Sequence, residues 1–101
     1  MLGYFDRTRK DYARIPVDEQ VEVLSLLGDV ALKPDASPEL HAHLVVGRSD
    51  GSTRGGHLLE ADVWPTLEVV LTDAPRQTVA PRHLRKTHDP ETSLALIDPS
   101  V

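Results

Sequence analysis

Between Glu39 and Glu60 the chain places two histidines at alternate positions, His41 and His43, then an Asp50-Gly51 turn signal, then Gly55-Gly56 leading into a third histidine, His57. Successive side chains on a strand point to opposite faces, so His41 and His43 share one face while Ala42 and Leu44 take the other. If the two arms pair as a hairpin, the loop decides where His57 falls. A two-residue Asp50-Gly51 turn pairs Ser49 with Ser52 and sets His57 opposite Leu44, on the wrong face. A three-residue Ser49-Asp50-Gly51 loop pairs Arg48 with Ser52 and sets His57 opposite His43. A bulge at Gly55-Gly56 changes the parity equally well.

Two imidazoles on a rigid strand with a third across from them suit a divalent metal: zinc takes three protein ligands and leaves one position open. The expected metal ligands are His41, His43 and His57, and the expected cofactor is zinc or another divalent metal. Glu39, Glu60 and Glu68 are the carboxylates available to support them. The competing reading is of three polar residues on a partly solvated sheet face, hydrogen-bonded to neighbours such as Glu39 or Glu60.

The remaining chain reads mostly as strand. Leu2 to Phe5 and Asp11 to Ile15 suit a hairpin whose loop carries the charges of Asp6 to Lys10. From Glu19 to Leu27 the pattern alternates and then becomes apolar on both sides; strand is preferred to helix because valine recurs and Gly28 would interrupt a helix. Gly28 is then a bend or bulge, with Asp29 to Lys33 continuing the strand. Pro34 to Pro38 is a loop. Val63 to Thr72 reads as a further branched-residue strand with Pro65 at an edge, at a bulge or at its start, and Trp64 as a packing anchor in preference to a ligand-stacking platform. Pro81 to Lys86 fits one helical turn, Asp89 to Thr92 a turn, and Leu94 to Ile97 a last short strand or a docked tail.

At 101 residues the chain has room for one domain, 1–101, with its core at 2–72 and a basic, proline-flanked segment and tail at 74–101. It has no cysteine, which excludes disulfides and thiolate metal sites. No apolar run approaches the ~18 residues of a membrane span, and Met1 to Lys10 lacks a signal-peptide core, so a cytoplasmic protein without membrane contact is expected. The net charge of −5 disfavours nucleic-acid binding by a global field. The residues placed for polyanion contact are Arg76, Arg82, Arg85 and Lys86, beside His83 and His88; the competing and preferred reading is a solvated, proline-flanked surface segment. No nucleophile elbow or phosphate-cradling loop is present.

Glu22 to Gly28 (EVLSLLG), His41-Ala-His43, Asp50-Gly51, Gly55 to Leu59 (GGHLL) and Thr66 to Val70 (TLEVV), in this order, resemble the signature series of the PPC (plants and prokaryotes conserved) domain. The resemblance implies an α+β fold, mainly antiparallel sheet with little helix, assembling as a homotrimer. It implies a module for self-association and contact with transcriptional proteins, with a histidine cluster in some members similar to a metal site. In plants the domain follows an AT-hook that grips DNA; stand-alone prokaryotic members are commonly described as DNA-binding. No AT-hook motif occurs here. Members usually carry a further strand and helix ahead of the segment beginning here at Leu2, so exposed edges and apolar surface are expected. The functional expectation is a noncatalytic homo-oligomeric binding module associated with DNA or a protein partner; the alternative is a small metal-dependent or ligand-binding enzyme using the cluster of His41, His43 and His57.

Overall fold

A computed structural model describes residues 1–72 and 84–98. These residues form seven strands: β1 (Leu2–Asp6), β2 (Asp11–Ile15), β3 (Glu22–Leu32), β4 (Pro38–Gly47), β5 (Thr53–Leu58), β6 (Lys86–His88) and β7 (Ala95–Ile97). β2-β1-β5-β4-β3 form one sheet and β6-β7 a second. The chain divides into two compact units, Met1–Asp29 with Leu40–Ala61, and Val30–Glu39 with Asp62–Val101.

In the first unit the N-terminal hairpin pairs Leu2 with Ile15 through Asp6 with Asp11. Its loop is charged, as expected, and closes because Asp6 Oδ1 accepts the amides of Thr8 and Arg9 while Lys10 takes φ 53°. β1 also pairs with β5, Leu2 with Leu58 and Gly3 with His57. The Met1 carbonyl extends this join by accepting the amides of Leu59 and Glu60. One face of the sheet carries the small core: Leu2, Leu44 and Val46 are buried, with Ile15, Val17, Val21, Leu26 and Leu58 packed on them. Alternation along β4 follows from this, since Ala42, Leu44 and Val46 are buried and His43 and Val45 are exposed.

β3 is a single strand running through Gly28, as the pattern predicts. An ideal Cβ at Gly28 would lie 2.1 Å from the His41 carbonyl oxygen and 2.7 Å from Ala42 Cα, so only glycine permits this backbone approach. β3 lies at the sheet's edge; Leu26 packs on the core and Ala31 is buried, while Leu24 and Leu27 are open to solvent.

In the second unit Lys33 to Ser37 turn back on themselves, Asp35 Oδ1 accepting both the amide and the hydroxyl of Ser37. Leu32 donates to the Leu84 carbonyl and forms a parallel bridge with Arg85. β6 and β7 form a hairpin, Lys86 opposite Ile97, whose turn is held by Asp89 accepting from the amide and hydroxyl of Thr92. The last strand is therefore a strand and not a docked tail.

Three expectations fail here. Val63 to Thr72 is exposed and belongs to no strand among the described residues, although its composition favours one. Trp64, expected as an anchor, is 83% exposed in this chain. The helical part of an α+β fold is missing: the described residues contain no helix, Arg85 and Lys86 of the expected helical turn are bridge and strand, and Pro81 to His83 lie outside the described residues. Backbone pairing with Leu32 and Ile97 satisfies these groups where a helix would have satisfied them within one turn.

Candidate metal centre

The turn between β4 and β5 sets the site. Arg48 donates its amide to the Ser52 carbonyl, and the Gly51 amide donates to the Arg48 carbonyl, closing a three-residue loop over Ser49, Asp50 and Gly51. Gly51 takes φ +83°, which glycine adopts without strain. Asp50 Oδ1 accepts the Ser52 amide and hydroxyl at 2.9 and 2.6 Å, and these bonds hold the Asp50 carboxyl below its ordinary range. The Arg48 guanidinium grips Glu19 in a two-pronged pair, 2.8 Å at its shorter contact, lowering the Glu19 pKa and raising that of Arg48. Of the registers open to the sequence, the odd loop is the one found. His43 pairs with His57 and Gly47 with Thr53.

The three imidazoles consequently meet. Ring centroids are 5.0 Å apart for His41 and His43, 5.1 Å for His41 and His57, and 5.7 Å for His43 and His57. One nitrogen from each lies within 4.8 Å of the others. A tetrahedral zinc with bonds of about 2.0–2.1 Å needs nitrogens roughly 3.3 Å apart, so rotation of the side chains by roughly 1.5 Å closes the set. The donor set suits the ion: three neutral nitrogen ligands, borderline in softness, fit zinc and its first-row neighbours and not calcium or magnesium. His43 is exposed while His41 and His57 are half-buried.

The expected supporting groups are placed differently. Glu39 is ion-paired with Lys86, Glu60 is exposed with its carbonyl accepting from the Met1 ammonium, and Glu68 is exposed in the stretch from Val63 to Thr72. Among the described residues no carboxylate enters the cluster. The side chain that does pack on it is Tyr12, which sequence patterning did not single out: its ring lies 4.5 Å from that of His57, tilted by 32°. Only the pairing of β1 with β5, a contact between distant parts of the chain, brings it there. An open groove lined by Glu19, Glu22, Leu24, Arg48 and Asp50 lies at the turn end and includes no imidazole.

The basic segment is divided. Arg76, Arg82 and His83 lie outside the described residues, and Arg85 and His88 are exposed. Lys86 is 5% exposed and bonded to Glu39, which takes its charge out of the patch.

An antiparallel β domain whose central hairpin gathers three imidazoles on one face is the class of protein these features define. The chain belongs to the Plants and Prokaryotes Conserved domain family, abbreviated PCC or PPC, which it matches over residues 2–75. A PPC protein from Pyrococcus horikoshii is similar at 30% identity and TM-score 0.75, over 96% of this chain and 62% of that one. A "putative DNA-binding protein" from Ralstonia eutropha JMP134 is similar at 27% identity and TM-score 0.71, over 96% of this chain and 62% of that one. A protein of the same description from Bacteroides thetaiotaomicron VPI-5482, 24% identical, shares the fold at TM-score 0.71, over 99% of this chain and 65% of that one. The chain thus spans less than two thirds of the length of these solved relatives. No curated protein matches it significantly. No helix among the described residues is long and apolar enough to cross a membrane.

Proposed function

We propose that this chain is a noncatalytic, self-associating binding module of the PPC family, a homotrimer in the cytoplasm, that takes one zinc or similar divalent ion on His41, His43 and His57. The observation that carries the metal reading is the register pairing His43 with His57. Strand parity alone decides whether a third imidazole joins the first two, and a satisfied structural histidine has no need of two imidazole neighbours within 4.8 Å. When bound, the ion supplies Lewis acidity and a cross-link between β4 and β5. The residues of the chain supply the three nitrogens and the rigid strands that aim them.

Self-association is supported by the scarcity of interior. Among the described residues the buried hydrophobic side chains are Leu2, Ala31, Ala42, Leu44 and Val46, while Leu27, Val70 and Leu71 are exposed by 74%, 92% and 82%. Apolar surface on that scale is usually covered in the working assembly. Association with DNA, or with a transcriptional protein partner, rests on the description of the Ralstonia relative, and the net charge of −5 requires any such contact to be local.

Native mass spectrometry of untagged protein, with and without added zinc, tests the proposal. The expected result is a trimer carrying one ion per chain, with uptake lost in His41→Ala and His57→Ala. A monomer at micromolar concentration, or a protein that takes no ion, overturns the corresponding part. Titration with an A·T-rich duplex at two salt concentrations tests the DNA part: binding that weakens as salt rises is expected, and no binding at low salt removes it. Multiple turnover of a hydrolysable ester by the zinc form, abolished in the histidine variants, would instead favour the enzyme reading.

A further inference from the structure

His57 differs from the other two imidazoles in what it packs against. Its ring stacks on Tyr12 at 4.5 Å, and Tyr12 in turn meets Phe5 edge-on at 5.4 Å with an interplanar angle of 64°. We infer that Tyr12 is a positioning residue for His57: its ring, lying over the gap left by Gly3, holds the imidazole where His41 and His43 present theirs. This deepens the metal reading above, and its metal-binding consequence rests on that reading.

The register explains how a residue on β2 reaches one on β5. Gly3 of β1 stands between Arg14 of β2 and His57 of β5, and Tyr12 pairs with Phe5 on the same face, diagonal to Gly3. An ideal Cβ at Gly3 would lie 3.1 Å from Tyr12 Cδ1 and 3.1 Å from Leu59 Cδ1. The space above β1 is therefore filled by a ring from one side and a leucine from the other, and a side chain at position 3 would displace both. Without such a support, an imidazole on a strand chooses among staggered χ1 wells and a broad χ2 range. The stack selects one orientation, and ordering the third ligand before binding removes a cost that the metal would otherwise have to offset. The N-terminal hairpin thereby gains a role beyond closing the sheet edge, because Phe5 and Tyr12 connect it ring by ring to the cluster.

Cobalt(II) titration of the full chain, followed by its visible absorption, tests this together with proton NMR of the metal-free protein. Tyr12→Ala is expected to weaken cobalt binding about 10–100-fold, the usual effect of removing a group that orients a ligand. Tyr12→Phe keeps the ring and is expected to stay within about threefold of the parent. In the metal-free protein the nuclear Overhauser contact between the rings of His57 and His41, whose centroids are 5.1 Å apart, should survive in Tyr12→Phe and vanish in Tyr12→Ala. Tyr12→Leu retains apolar bulk without a stacking face, and serves if the alanine variant does not fold. An unchanged ring contact and unchanged cobalt affinity in Tyr12→Leu overturn the inference and leave the metal site standing. A parent protein that takes no cobalt, with the ring contact still lost in Tyr12→Leu, removes the metal reading and upholds the positioning role.

Discussion

The β4–β5 hairpin and the stretch from Val63 to Thr72 are both rich in branched apolar residues, yet only the first is sheet. The hairpin is closed by a turn whose glycine takes φ +83° and by Asp50 bonding Ser52, so its two arms find each other locally. Val63 to Thr72 pairs with no strand among the described residues, and every residue of it is exposed. A strand is a relation between two backbones. Propensity describes one side of that relation, and packing against a partner supplies most of the stabilisation.

The largest expected effect comes from attacking the hairpin's own neighbour. Gly28→Val drives a Cβ to within 2.1 Å of the His41 carbonyl, a contact that only backbone movement relieves. A loss of about 3 kcal/mol or more in urea unfolding is expected, the upper range for overpacking, because backbone and not a flexible side chain must yield. The equivalent change in the exposed stretch, Thr66→Val, should leave the denaturation midpoint of dilute protein unchanged.

Deleting Thr53 comes next. With the Ser49-Asp50-Gly51 loop kept, Arg54 falls opposite Gly47 and the rest of β5 moves by one, which sets His57 opposite Leu44, on the face away from His43. Zinc affinity measured by competition with a chromophoric chelator should fall about 100-fold or more, about 2.7 kcal/mol. Thr53→Gly, which keeps the strand's length, should retain most of the affinity, and affinity that ignores strand parity would separate the metal from the cluster.

These two changes also mark what the amino-acid sequence could reveal. His41, His43 and the turn were legible because alternation and turn chemistry act over a few residues. The choice of loop was not, since Asp50-Gly51 is compatible with either parity and the decision lies in bonds among Arg48, Gly51 and Ser52. Tyr12 was invisible for a different reason: its contact with His57 depends on β1 pairing with β5, which no local pattern encodes. Lys86 misled through composition, because a basic neighbourhood suggested a solvated charge where the fold supplies Glu39. Val63 to Thr72 and Trp64 misled in the opposite direction, by carrying apolar content that this chain does not itself cover. Family resemblance brought the sheet and overstated the helix.

A change of intermediate size addresses that uncovered content. If the exposed stretch is completed by other copies, Leu71→Asp should weaken the oligomer by about tenfold or more in sedimentation equilibrium, since a charge would be buried without a partner. The parent's melting temperature should rise with concentration while the variant's stays flat. Amide exchange offers the same contrast by residue: β4 and β5 protected at any concentration, Val63 to Thr72 protected only on assembly. Protection of that stretch in dilute monomer would mean that a single copy covers it and that the two regions do not differ in this way.

The smallest effect lies in the turn itself and depends on pH. Asp50 is held below its ordinary 3.8 first by the Ser52 hydroxyl and then by the Ser52 amide, and Glu19 below 4.5 first by its hydrogen bond from Arg48. A carboxyl whose folded pKa is depressed contributes stability that is fully present above the unfolded value and is lost as pH falls through the folded one. Exchange at Gly51 and Ser52, corrected for its intrinsic pH dependence, should therefore be constant from neutral pH down to the upper of these ordinary values. It should quicken below the lower one. Both groups are exposed, so the change is modest, and 0.5 M salt should diminish the Glu19 part more than the Asp50 part, because the former is an ion pair and the latter a set of bonds to uncharged donors. Asp50→Asn keeps an oxygen acceptor but cannot titrate in this range, so it should remove the acid-side step attributed to Asp50 while leaving that of Glu19. An unaltered acid profile in that variant would mean that the loop is held by its backbone bonds alone, with Gly51 rather than Asp50 setting the parity of the sheet.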